Sequence, residues 1–123
     1  METEQKTVAL IDDDPLVRKV IKRFLKGSGF VVHTFGSCEE FLAAVASFTA
    51  DCLVLDVNLG SCSGFDVARH PLVTALRVPV VMMSGCAEEE HRAQADALGC
   101  VAFLSKPLRP PELLDAIARA VGP

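Results

Sequence analysis

Thr7-Val8-Ala9-Leu10-Ile11-Asp12-Asp13-Asp14-Pro15 is the stretch that decides the fold. Its first five residues are apolar or β-branched without in-and-out alternation, the pattern of a strand buried on both faces. The acids and the proline end that strand and open a helix, with Asp14 suited to the N-cap and Pro15 to the first helical position. Leu16, Val17, Val20, Ile21, Phe24 and Leu25 follow as one helical stripe, and Gly27 closes it. A strand feeding directly into a helix is the repeating unit of a parallel sheet.

The same unit recurs along the chain. Apolar runs at residues 30–35, 52–55, 78–83 and 101–104 predict four further strands. Helices are predicted over 38–47, from 65 to about 70 or 76, over 88–98, and over 111–121 with Leu113, Leu114 and Ile117 facing inward. Pro71 is placed to break or kink the third helix. Five alternations predict an α/β, doubly wound parallel sheet, (βα)5, with right-handed crossovers and helices on both faces. Residues 1–123 read as a single domain with its core at about 7–121, without linker or repeat.

Bulk properties narrow the function classes. At 123 residues the chain is long enough for one core and needs no disulfide or structural metal to fold. Half the residues are hydrophobic, yet none of the apolar runs reaches the roughly 18 to 20 residues of a membrane span. The polar, acidic start lacks an export signal, so the expectation is a soluble, cytoplasmic protein without a membrane role. A net charge of −4 argues against direct nucleic-acid binding. The five cysteines (Cys38, Cys52, Cys62, Cys86, Cys100) are odd in number and lack a C-x-x-C pair, so reduced thiols are expected.

In open α/β sheets the working site lies beyond the carboxyl ends of the strands, where strand order reverses. Here the first strand ends in Asp12-Asp13, the third in Asp56, the fourth in Ser84 and the fifth in Ser105-Lys106-Pro107. Asp14 is satisfied as a helix cap, and Asp56, Ser84 and Lys106 taken singly are ordinary turn or strand-exit residues. Three carboxylates on neighbouring strand ends, however, repel one another unless a cation shares them. A hard divalent ion with oxygen ligands suits that need, Mg²⁺ most naturally. Lys106 supplies a counter-charge, and Ser84 a hydroxyl donor, for an anion such as phosphoryl.

Asp12-Asp13 after Val-Ala-Leu-Ile, Asp56 after Cys-Leu-Val-Leu, Gly64 eight residues on, Ser84-Gly85 after Val-Val-Met-Met, and Lys106-Pro107 after Val-Ala-Phe-Leu-Ser together resemble the receiver domain of two-component response regulators. The resemblance runs from about Thr7 to Val121. It implies a flavodoxin-like sheet of strand order 2-1-3-4-5, with Asp56 as phosphoacceptor and a sensor histidine kinase or histidine phosphotransfer protein as donor. It further implies Mg²⁺ (or Mn²⁺) held by Asp13, Asp56 and the backbone carbonyl of Asn58, with Asp12 acting mostly through water. Ser84 would be drawn toward the phosphoryl group and Phe103 would rotate into the space it leaves. The Lys106–Pro107 bond is expected to be cis, and a phosphorylation-dependent dimer is compatible with the family. Such a domain accepts a phosphoryl group and loses it again without being a turnover enzyme.

Arg18, Lys19, Lys22, Arg23 and Lys26 are expected on the outer face of the first helix, either as a solvated face or as a docking stripe for an acidic patch on the kinase. The helix around Ala87 to Leu98 has no large aliphatic residue before Leu98, so it is expected to be weakly held; Glu88 and Arg92 form an i,i+4 pair there. Gly60 stands where the family commonly has proline, which leaves a more flexible loop. Cys62 and Cys86 fall near the site and are expected to be bystanders. A haloacid-dehalogenase-type phosphatase would use Asp12 as nucleophile and Asp14 as acid, but it leaves Asp56 without a task and lacks an acidic pair after Lys106. A flavodoxin-like electron carrier conflicts with three acids where flavin phosphate would sit, and with the absence of Trp and Tyr. The chain stops soon after its last helix, so its output is not legible: a free-standing receiver and a piece of a longer regulator both fit.

Overall fold

Each apolar run of the sequence becomes a strand of one sheet, and the central runs find cover for their alternate side chains on both of its faces. The computed structural model describes residues 5–47, 49–85 and 89–122. In chain order these form β1 (Thr7–Ile11), α1 (Pro15–Gly27), β2 (Val31–Phe35), α2 (Cys38–Ala44), β3 (Cys52–Asp56), α3 (Gly64–Arg69), α4 (Pro71–Thr74), β4 (Val80–Ser84), α5 (Glu89–Ala97), β5 (Ala102–Ser105) and α6 (Pro110–Val121). All strand pairs are parallel and the order is β2-β1-β3-β4-β5, the expected doubly wound arrangement. Along β1, Ala9 and Ile11 join a core with Phe41, Leu55, Phe65 and Met82 on one face. Val8 and Leu10 join Leu25, Val54, Met83 and Ile117 on the other. This period of two explains why the run shows no polar alternation.

The start of α1 follows its sequence signals. The Asp14 carboxylate accepts from the amides of Leu16 at 2.9 Å and Val17 at 3.4 Å, and Pro15 occupies the first turn. Pro71 ends α3, and the chain restarts as α4, with His70 Nδ1 accepting from Leu72 N–H at 3.1 Å. Ser63 and Asp66 cap α3 reciprocally, which fixes the exit of the loop after β3.

Three expectations are corrected. The stripe of α1 is wider than the core it faces: Ile21 and Leu25 are buried, but Leu16 and Val20 are 66% and 56% exposed. They border an apolar groove of about 470 Å³ between α1 and α6, lined also by Phe24, Pro107, Leu108 and Leu113. The cysteines are not all reduced, because Cys38 and Cys62 are joined in a disulfide with Cα atoms 6.7 Å apart. Their separation of 24 residues carries no local signature; only the packing of α2 beside the loop after β3 brings them together. And Arg18 does not lie on the outer face of α1 but turns back, half-buried, to donate from Nη1 to the Asp12 carbonyl at 2.7 Å.

Cys52 and Cys100 are free, and burial pushes the Cys52 thiol up to about 12, which makes it unreactive. Cys86, Ala87 and Glu88 lie outside the described residues, and with them the Glu88–Arg92 pair. Among the described residues of α5 only Ala95 is buried, in keeping with a helix held by little apolar area. Among the described residues no helix is long and apolar enough to cross a membrane.

Gly64 shows how tightly the chain is drawn beside Asp56. Its amide donates to the Val57 carbonyl at 2.7 Å, closing the bridge between Asn58 and Ser63. A Cβ at this position would press on the Asp56 carbonyl group, 3.0 Å from its carbon, and sit 3.2 Å from Met82 Sδ. Gly64→Ala is therefore expected to lower unfolding stability by about 2 kcal/mol. Gly27→Ala, whose Cβ meets nothing within 4 Å, is expected to raise it by about 0.5 kcal/mol. Urea titration of the two variants checks the contrast, and equal midpoints would contradict it.

Candidate functional site

The order β2-β1-β3 places the reversal of strand order between β1 and β3, and the acids stand at that edge. Asp12 leaves β1 with its amide hydrogen-bonded to the Phe35 carbonyl at 3.1 Å, and Asp56 is the last residue of β3. Both are buried, with Asp12 0% and Asp56 5% exposed. Asp13 is exposed beside them, and one carboxylate oxygen from each of the three lies within 4.8 Å of the others. This is a hard, all-oxygen donor set of the kind a divalent cation such as Mg²⁺ takes.

Lys106 reaches the same point from the end of β5. Its Nζ stands 2.7 Å from Asp12 Oδ2 and 2.8 Å from Asp56 Oδ2. The remaining oxygens are held by the backbone, Asp12 Oδ1 accepting from Asp14 N–H at 2.9 Å and Asp56 Oδ1 from Asn58 N–H at 3.2 Å. The Lys106 amide donates to the Ser84 carbonyl at 2.8 Å, and the Lys106–Pro107 bond is cis as expected. Among the described residues, no buried side-chain oxygen or nitrogen lacks a partner.

The electrostatics follow from burial and pairing. Burial raises the Asp56 carboxyl above its ordinary value; the Lys106 hydrogen bond opposes this, the Asp12 charge adds to it, and the net shift is upward. For Lys106, burial alone would lower the ammonium's pKa. The hydrogen bonds and charges of Asp12 and Asp56 outweigh that, so it is held above its ordinary value and stays protonated.

Ser84, the last residue of β4, is buried at 3% exposure and lines a cavity of about 550 Å³ with Asn58, Gly60, Cys62 and His91. Phe103 on β5 is half-buried, with the Arg92 guanidinium 5.0 Å from its ring centroid. Lys19, Arg23 and Lys26 are exposed and Lys22 is half-buried. The fold thus gathers Asp12, Asp13, Asp56 and Lys106 at one point, whereas Phe103 and the basic residues of α1 lie outside that cluster.

Sequence reading singled out neither His91 nor the contacts that Arg18 and Cys62 make here. Arg18 belongs by sequence to the basic stripe, and its spacing of six residues from Asp12 does not set it apart. His91 borders the cavity from α5, with its ring 5.8 Å from that of Phe65. Cys62 lines the cavity while bridged to α2. None carries a motif, because each depends on which helix packs beside which loop.

Comparison with known proteins agrees with this geometry. The family model described as the response regulator receiver domain matches residues 8–118. The transcriptional regulatory protein TdiR of Thauera aromatica is 34% identical over 94% of this chain and 51% of its own length. Nodulation protein W of Bradyrhizobium diazoefficiens is 34% identical over 96% of this chain and 53% of its length. The chain spans about half the length of these curated relatives. The crystal structure of a response regulator receiver protein from Burkholderia phymatum superposes with a TM-score of 0.86 at 29% identity, covering 96% of both chains. A sheet order, a strand-edge acid cluster and a family match over nearly the whole described chain coincide, and the chain belongs to the response regulator receiver domain family.

Proposed function

We propose that this domain takes a phosphoryl group from the phosphohistidine of a sensor histidine kinase or histidine phosphotransfer protein onto Asp56, in a reaction that depends on Mg²⁺. The observation that carries the reading is the single Lys106 ammonium shared by Asp12 and Asp56 at 2.7 and 2.8 Å, beside the exposed Asp13. Asp12, Asp13, Asp56 and the Asn58 carbonyl would hold the ion, and the three carboxylates fit it by charge and by hardness. When bound, Mg²⁺ supplies positive charge to the equatorial oxygens of the transferring group.

The chain's own residues do the rest. A carboxylate oxygen of Asp56 attacks phosphorus in line as the bond to the donor imidazole nitrogen breaks, leaving an acyl phosphate. Lys106 is poised to turn from the carboxylates to the phosphoryl oxygens, and the Ser84 hydroxyl donates to the same group. The movement of Ser84 frees space for Phe103, whose ring lies under the Arg92 guanidinium and so links β5 to the weakly held α5. The acyl phosphate hydrolyses in time, so the domain is a switch and not a turnover enzyme, working in the cytoplasm. Phosphorylation can also favour a dimer.

Partner docking is read from α1. Lys19, Lys22 and Arg23 stand on the same helix as Leu16 and Val20, which border the apolar groove. A partner helix with an apolar stripe and flanking acids complements that surface. Arg18 contributes indirectly, by holding the Asp12 carbonyl.

Incubation with acetyl phosphate and Mg²⁺ is expected to add one phosphoryl mass to the intact protein and none to Asp56→Asn. An adduct on the Asn variant, or no adduct on the parent with any donor, would contradict the assignment. Changing Lys19 and Arg23 together to Glu is expected to slow phosphotransfer from the kinase by roughly tenfold at low salt while leaving the acetyl phosphate rate unchanged. Equal slowing with both donors would rule out docking through α1.

A further inference from the structure

The loop from Val57 to Ser63 carries Asn58; Val57 and Leu59 anchor it in the core, and its outer part from Gly60 to Cys62 is held more lightly. Leu59 N–H donates to the Cys62 carbonyl at 3.1 Å and Gly60 N–H to Asn58 Oδ1 at 3.1 Å. Gly60 turns the chain with a left-handed φ of +80°. What ties this loop to the body of the domain on its outer side is the start of α2. Ser61 Oγ donates to the Glu39 carboxylate at 2.9 Å, and Cys62 is bridged to Cys38. The two sulfurs are unequally placed: Cys38 is 4% exposed, whereas Cys62 is half-buried and lines the cavity that holds Asn58 and Ser84.

We infer that Cys38 and Cys62 are a reversible dithiol–disulfide site whose oxidation state sets the divalent-cation affinity of the phosphoacceptor site. This rests on the reading of Asp12, Asp13, Asp56 and the Asn58 carbonyl as the cation's ligands. Oxidation needs a small-molecule disulfide as oxidant. The accessible Cys62 thiolate attacks one of its sulfurs, breaking that S–S bond and releasing one small thiolate. The Cys38 thiolate then attacks Cys62 Sγ and expels the second, so two electrons pass from the protein sulfurs to the reagent and two protons to solvent. A small dithiol reverses both steps, entering again at Cys62.

The bridge acts where the chain has a glycine turn in place of a stiffer residue. Bridged, the loop holds Asn58 against the acids. Reduced, the segment from Gly60 to Cys62 keeps the exposed Ser61–Glu39 hydrogen bond to α2 and Leu59 stays buried beneath it, so the outer part of the loop samples other conformations. If the binding conformation falls to about a fifth of the population, cation affinity falls about fivefold.

The test uses the full chain, oxidised with a small-molecule disulfide or reduced with a dithiol, each then freed of reagent. Non-reducing peptide mapping is expected to find Cys38 linked to Cys62 only after oxidation, and calorimetric titration with MgCl₂ to show about fivefold weaker binding in the reduced form. Cys62→Ser, altered at the less buried partner, is expected to bind Mg²⁺ as the reduced parent does, whichever reagent it has met. Equal affinity in the two parent forms, a bridge mapped to other cysteines, or a redox difference that persists in Cys62→Ser would overturn the inference. Binding by neither form would instead remove the cation-site reading beneath it.

Discussion

One ammonium group shared by two buried carboxylates is the interaction on which the site depends. Asp12 and Asp56 end adjacent strands, and both are withdrawn from water. Two such charges cannot remain ionised side by side without a counter-charge. Lys106 comes from β5, which is separated from β3 by β4, a distance of two strand spacings or about 10 Å. The long stem of lysine reaches over the end of β4, where Ser84 lies. A shorter cation would not reach, and a strand order that put β5 elsewhere would leave the acids unpaired. The sheet topology and the chemistry are therefore one constraint.

The backbone amides of Asp14 and Asn58 hold the other carboxylate oxygens, so the acids keep these partners independently of Lys106. Arg18 steadies the Asp12 carbonyl, and Gly64 lets the chain pass against that of Asp56. An acid cluster fixed by the backbone, with its counter-charge on a long side chain, suits the proposed phosphoryl acceptance, and the sparsely packed α5 beside Phe103 suits the proposed switch.

Much of this was legible in the sequence because it is written locally. Asp14 and Pro15 announce the start of α1, and apolar runs without alternation announce strands covered on both faces. The acids, Ser84 and Lys106 fall at strand ends, so the topology alone assembles them. Features that depend on how elements pack were not legible. The apolar spacing of Leu16 and Val20 looks like core until the groove beside α6 is seen. Arg18 looks like one more surface cation until its guanidinium is found on the Asp12 carbonyl. Cys38 and Cys62, 24 residues apart, look unrelated until α2 lies against the loop after β3.

The central claim is that Lys106 offsets part of what burial does to Asp56, and carboxyl-carbon NMR of the metal-free protein measures this directly through the titration of Asp56. The side chain is expected to titrate above its ordinary value of 3.8, and replacing Lys106 by Met is expected to move the midpoint to higher pH still. An Asp56 midpoint that stays put or falls when the lysine is removed would contradict the account.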